Sequence, residues 1–156
     1  MTREKVPVIN ISLVGPDNAV LRRATQAMIA RGHVLVAAVG NDGPAAPPLF
    51  PAAYPGVIGV TAVDRRARVL PEAGRGAQVD FAARGSQLRA AKAGGGWTIV
   101  RGTSFAAPLV ARRAALQWQT LRAGNAGAIA NALAQQARDA GPRGRDDTFG
   151  LGILEN

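Results

Sequence analysis

Three short apolar runs, rich in β-branched residues and separated by a helical pattern or by turn residues, predict a three-layer α/β fold with a largely parallel sheet. The runs are Val6 to Leu13, Val34 to Val39 and Val57 to Val63. Each is too short for a typical helix and apolar on both faces, as parallel strands buried between helices are.

Gly15-Pro16-Asp17-Asn18 ends the first run, and Asp17 or Asn18 can cap a helix. From Ala19 to Arg31 the pattern is helical, with Leu21, Ala24 and Met28 on one face and Arg22, Arg23, Thr25 and Gln26 elsewhere. Gly32 suits the left-handed position that ends a helix. Strand, helix and strand then make a right-handed βαβ unit with parallel strands. Gly40 to Pro55 reads as a loop, Gln78 to Ala82 as a short fourth strand and Arg84 to Gly96 as a second loop. Trp97 to Val100 reads as a strand leading to Gly102, and Leu109 to Leu121 as a helix. A further helix runs from a cap at Asn125 to about Arg138, and Phe149 to Leu154 forms a closing turn and strand.

Composition narrows the function classes. Of 156 residues, 47% are hydrophobic and 19% charged, which is a globular rather than a disordered balance. With no cysteine, disulfides, zinc-thiolate sites and thiol catalysis are excluded. No apolar run is long enough for a transmembrane helix. The net charge of +9 raises nucleic acid as a partner. Its arginines are scattered from Arg3 to Arg145 without interleaved aromatics, so no nucleic-acid partner is expected.

Two segments carry chemistry. In Gly102-Thr103-Ser104-Phe105-Ala106-Ala107-Pro108 a serine stands where a loop becomes a helix. The unpartnered N–H groups there stabilise negative charge on or beside a serine oxygen, although Thr103 or Ser104 would also serve as an ordinary cap. In Ala37-Ala38-Val39-Gly40-Asn41-Asp42-Gly43 an asparagine follows a parallel strand, at the sheet edge where ligands bind. Asn41 there can point an amide into the crevice or make an Asn-Asp-Gly turn.

Together these segments resemble the subtilisin-like serine protease family, and further matches follow in order. Ile9-Asn10-Ile11-Ser12-Leu13 is similar to the strand that lines the family's substrate cleft. Phe50 to Ile58 resembles its Y-P-A-x-Y-P-x-V-I stretch. Ala62-Val63-Asp64, Val79 to Ala83, the G-T-S-x-A-x-P signature and Phe149 to Ile153 complete the series. The resemblance covers nearly the whole chain, so residues 1–156 are read as one partial peptidase domain.

What the resemblance implies is a serine endopeptidase working through an acyl-enzyme. Ser104 would be the nucleophile, with the Asn41 side chain and the Ser104 N–H forming the oxyanion hole. Ser12, Leu13 and Val14 would offer backbone groups to an extended peptide. Ala38, Val39 and Gly40 would form the opposite wall of the primary specificity pocket, and Gly102 and Thr103 would flank the substrate. No cofactor is expected, although Ala52, Tyr54, Val57 and Asp80 match the positions of a weak family cation site. Val14 stands where the family usually has glycine, Phe105 where many members have methionine, and Arg84 in place of a loop proline.

The family's catalytic aspartate and histidine motifs, which precede these segments, have no counterpart in this sequence. The one histidine, His33, falls at the wrong end of its strand, about 20 Å from Asn41 at roughly 3.3 Å per residue, and is expected in a loop or on the surface. The N-terminal part of the domain is therefore expected to be missing, with the isolated chain inactive and a segment in trans as one possible partner beside the peptide substrate. A non-catalytic peptide- or protein-binding domain is the alternative. The compartment is not legible here.

Overall fold

The computed structural model describes residues 6–120 and 126–155. The chain opens with strand β1 (Val8–Ile11), helix α1 (Ala19–Ala30), strand β2 (Val34–Ala38) and strand β3 (Val57–Val63). Strand β4 (Phe81–Arg84) follows, then β5 (Ser86–Ala91), β6 (Trp97–Arg101), helix α2 (Thr103–Thr120) and helix α3 (Ala126–Ala134). Four strands form a parallel sheet in the order β1-β2-β3-β4, and β5 and β6 form a separate antiparallel hairpin.

The alternation of side chains along β2 and β3 separates two helical layers. Val34, Val36 and Ala38, with Ile58, Val60 and Ala62, pack on α2 and α3 through Ala106, Ala107, Val110, Ile129 and Leu133. Leu35, Ala37 and Val39, with Val57, meet Leu21, Met28 and Ile29 of α1 on the other face. Every residue of β2 and β3 is buried, as their unbroken apolar sequence predicts. Parallel pairing of β1 with β2 completes the expected βαβ unit.

Several boundaries differ from the expectations. The first run stays in the sheet only over Val8–Ile11, and Leu13 is 77% exposed, because the chain leaves β2 at Ser12 to reach the start of α2. On α1, Thr25 is buried and Ala24 exposed, so the inner face runs through Leu21, Thr25, Met28 and Ile29. Asn18 is the cap, accepting from the Val20 and Leu21 N–H groups through its side chain. The fourth strand starts at Phe81 rather than Gln78, since a turn from Gly76 to Val79 precedes it. Arg84 to Gly96 is not a loop: Ser86–Ala91 pairs with Trp97–Arg101. Its outward face meets solvent, so no buried alternation marked it. Helix α2 begins at Thr103, six residues before the expected start, and α3 ends at Ala134. The expected cap Asn125 and the helix end at Leu121 lie outside the described residues.

The two edges of the sheet differ. The Ala82 N–H donates to the Gly152 carbonyl at 2.9 Å, and the Leu154 N–H to the Ala82 carbonyl at 2.8 Å, so the C-terminal segment closes the side of β4. Nothing among the described residues pairs with the outer side of β1.

Candidate active site

Ser104 occupies the first turn of α2, half-buried, at the C-terminal edge of the sheet. Pro108 sits inside this helix and has no N–H to give the Ser104 carbonyl four residues earlier. That carbonyl accepts instead from the Ser12 hydroxyl at 3.0 Å, while the Ser104 hydroxyl lies 3.5 Å from the Ser12 carbonyl. The Asn10 amide donates to the Ser12 hydroxyl at 3.0 Å, so the end of β1 braces the serine. The proline that looks costly in the helix thus creates the vacancy that ties two segments together.

Asn41 follows β2 and is exposed. Its side-chain carbonyl accepts from the Thr103 N–H at 3.0 Å and the Thr103 hydroxyl at 3.2 Å. The carbonyl therefore caps the helix, and the Nδ2 group is left without a partner among the described residues. The helix start is thus capped by Asn41 rather than by the Thr103 or Ser104 hydroxyl, neither of which accepts from a backbone N–H among the described residues. The structure brings Asn41, Gly102, Thr103, Ser104 and Ser12 together. Gly102 has φ +129°, and a Cβ there would stand 3.3 Å from Asn41 Nδ2, so close approach and backbone conformation both favour glycine.

A second brace had no sequence signal. The Glu72 carbonyl accepts from the Gly43 N–H at 2.9 Å, beside Asn41. The Glu72 carboxylate accepts two hydrogen bonds from Arg101, at 2.5 and 2.8 Å, just before Gly102. Glu72 thus joins the Asn41 loop to the Ser104 loop. The guanidinium of Arg101 holds its carboxyl below the ordinary range.

Of the residues expected along the substrate, Ser12 is half-buried and Leu13 and Val14 are exposed, whereas Ala38, Val39 and Gly40 are buried. Paired hydrogen bonds between Gly15 and Phe50, at 2.9 and 3.0 Å, tie the loop after β1 to the proline-rich loop. This brings Leu49 against Gly40: a Cβ built at Gly40 would be 2.7 Å from Leu49 Cδ1 and 3.7 Å from Val14 Cγ1. Leu49 escaped sequence reading because only the tertiary hydrogen bonds bring it to this wall.

His33 is buried rather than on the surface, with Nδ1 2.6 Å from the Val6 carbonyl at the start of β2. The turn after α1 folds it inward, and it has no part in the Ser104 cluster. Asp80 faces a cavity of ≈230 Å³ lined also by Ala52, Tyr54, Val57 and Arg145. Its two carboxylate oxygens take the Gly59 N–H at 2.8 Å and the Arg145 guanidinium at 2.9 Å. Arg145 also donates to the Ala77 and Val79 carbonyls. A guanidinium already neutralises the single carboxylate, so these residues do not fit a bound cation. Burial pushes the Asp80 carboxyl up, against the Gly59 N–H and Arg145.

Seen beside this geometry, the family comparison is decisive: the model of the Subtilase family (Peptidase_S8) matches residues 1–152. This chain belongs to the subtilase family. Among curated subtilases it is 30% identical over 152 residues to the minor extracellular protease Epr of Bacillus subtilis (strain 168), covering 97% of this chain and 24% of that protein. To subtilisin DY of Bacillus licheniformis it is 33% identical, covering 90% and 53%. The chain therefore spans about half or less of the length of these relatives. Among solved structures, the prenylagaramide maturation protease PagA superposes with a TM-score of 0.83 at 28% identity, covering 98% of this chain and 60% of that one. A psychrophilic protease superposes with a TM-score of 0.83 at 23% identity, a likeness of fold. These neighbours agree with the three-layer α/β architecture of the subtilase chain.

One electrostatic feature of the subtilase chain gives a direct test. Asp64, at the end of β3, is held at about 2 from an ordinary 3.8, first by the Arg68 N–H and then by the Arg68 guanidinium. A carboxyl with a lowered folded value stabilises the fold above its unfolded value and stops doing so as pH falls from 3.8 towards 2. The melting midpoint of the wild-type chain should fall more steeply than that of Asp64→Asn across this window. Parallel curves from calorimetry would remove Asp64 from the acid limb.

Proposed function

We propose that this subtilase chain carries the nucleophile half of a serine endopeptidase site. Ser104 attacks the peptide carbonyl, and the Asn41 Nδ2 and Ser104 N–H groups receive the developing oxyanion. The observation that carries this reading is that Thr103 donates twice to Asn41 Oδ1, which leaves the Nδ2 donor next to Gly102, two residues before Ser104, with no hydrogen-bond partner among the described residues. Ser12, Leu13 and Val14 hold the extended substrate through their backbone, and Gly102 and Thr103 flank it. Leu49 and Val14 shorten the pocket against Gly40, which favours a small side chain there.

The general base comes from a segment outside these 156 residues, since no imidazole stands beside Ser104 among the described residues. Fusing a subtilase segment that bears the aspartate and histidine motifs to this chain tests the reading. The fusion should hydrolyse alanine-rich peptides, Ser104→Ala should abolish that activity, and Leu49→Gly should shift preference toward larger side chains. A folded fusion that is inactive, or that keeps its activity in Ser104→Ala, would overturn the assignment.

A further inference from the structure

Four arginines gather at the C-terminal edge of the sheet, and two of them, Arg65 and Arg66, have no role described so far. Arg65, Arg66 and Arg68 follow β3, and Arg101 ends β6. With Asp64 and Gln87 they line a concavity of ≈500 Å³ at the C-terminal edge of the sheet. Two of the guanidinium groups already hold carboxylates: Arg68 donates to Asp64 at 2.8 Å, and Arg101 to Glu72 at 2.5 and 2.8 Å. Arg65 and Arg66 are exposed, and neither side chain has an ion-pair partner among the described residues. The lining carries four positive charges against the single negative charge of Asp64, with Glu72 compensating one more from behind Arg101.

Position turns this charge into a statement about substrate. Arg101 precedes Ser104 by three residues, so the two lie within about 10 Å of chain of each other. The Gly102 N–H bonds the Gly85 carbonyl at 2.8 Å and Ser86 pairs with Arg101, so the floor of the concavity continues into the serine loop. A peptide extended across Ser104 advances ~3.3 Å per residue and reaches the arginines roughly three residues from the bond being attacked. Guanidinium groups pair with carboxylates in a planar, two-bond fashion, as Arg101 and Glu72 do here. The concavity has no aromatic side chain on which a base would stack.

We propose that the Arg65–Arg66–Arg68–Arg101 concavity is an acid-selecting subsite, taking an Asp or Glu side chain of the peptide held at Ser104. The inference rests on the reading of the Ser104 cleft as a peptide site, but its test does not depend on turnover. Fluorescein-labelled decapeptides of alanine and glutamine, each with one glutamate scanned along the sequence, are titrated into the 156-residue chain at low salt. Anisotropy should show about 3- to 10-fold tighter binding for glutamate at one or two adjacent positions than for the all-glutamine peptide. The gain should shrink with salt, vanish in the Arg65→Gln/Arg66→Gln double variant and partly return with lysine at both positions. Both residues are exposed, and an unchanged melting midpoint verifies that the double variant is folded. Equal affinity at every position, a preference that survives the double variant, or no binding of any peptide would overturn the subsite. So would tighter binding of a ten-nucleotide oligothymidylate lost in the same variant, which would make it a phosphate site. A preference that holds while the fusion proves inactive would count against the catalytic reading alone.

Discussion

The isolated 156-residue chain is expected to leave fluorophosphonate probes and peptide substrates essentially untouched. A serine hydroxyl is a weak nucleophile until a base takes its proton. Here the hydroxyl faces only the Ser12 carbonyl, at 3.5 Å, which has no basicity to offer. The helix N-terminus and the Asn41 amide remain, so turnover should keep a residue of about 10³–10⁴ over the uncatalysed rate and fall about 10⁶-fold below an intact enzyme. Those magnitudes were established on subtilisin itself and are carried over from the family. Mass spectrometry of probe-treated protein should find Ser104 unlabelled on the timescale that labels the fusion fully. His33→Ala should change nothing in either protein, because that ring is committed to Val6 beneath the start of β2. Rapid labelling of the isolated chain, lost in His33→Ala, would overturn the placement of both residues.

Gly59→Ala is expected to be the most damaging single methyl group in the molecule's centre. Gly59 sits mid-strand in β3, where a Cβ would fall 1.8 Å from the Gln78 carbonyl oxygen and 3.1 Å from its carbon. Backbone is the obstacle, so no rotamer change relieves the clash. The same glycine donates its N–H to Asp80 and accepts from the Asp80 N–H, both at 2.8 Å. Displacing it disturbs the β3–β4 connection and the Arg145 pair together. A loss of at least about 4 kcal/mol is expected, enough to remove the cooperative transition from a fold of ordinary stability. Gly94→Ala, at the hairpin tip with nothing within 4 Å, should cost only about 1–2 kcal/mol from its positive φ. A urea midpoint for Gly59→Ala close to that of Gly94→Ala would refute the steric account.

The parts of the fold that were legible from sequence are those where burial is uniform. β2 and β3 read correctly because every side chain is enclosed, and unbroken Val, Ile and Ala runs have no other use at that length. The hairpin strand Ser86–Ala91 was not legible, since it is held by cross-strand hydrogen bonds rather than by a buried face. The late start assigned to α2 has a similar cause: Gly102 and Pro108 look like breakers until the Asn41 cap and the Ser12 hydroxyl supply their missing partners. Asn41 and Ser104 stand in short local motifs that alone allowed a cap or a turn, and the ordered resemblance to the family gave them their expected roles. Glu72, Leu49 and the arginine concavity were not, because each depends on loops meeting across more than 25 residues of chain.

The unequal edges of the sheet give the molecule a polarity. On the β4 side, Gly152 and Leu154 consume the ladder groups of Ala82, so an incoming strand finds no template there. On the β1 side, no strand among the described residues pairs with the outward-facing amides and carbonyls of Val8–Ile11. Among the described residues, the edge open to a further strand is therefore that of β1. That is also the strand whose end carries Ser12 to the serine. A strand added at that edge would therefore lie along the same segment that holds Ser104 through Ser12.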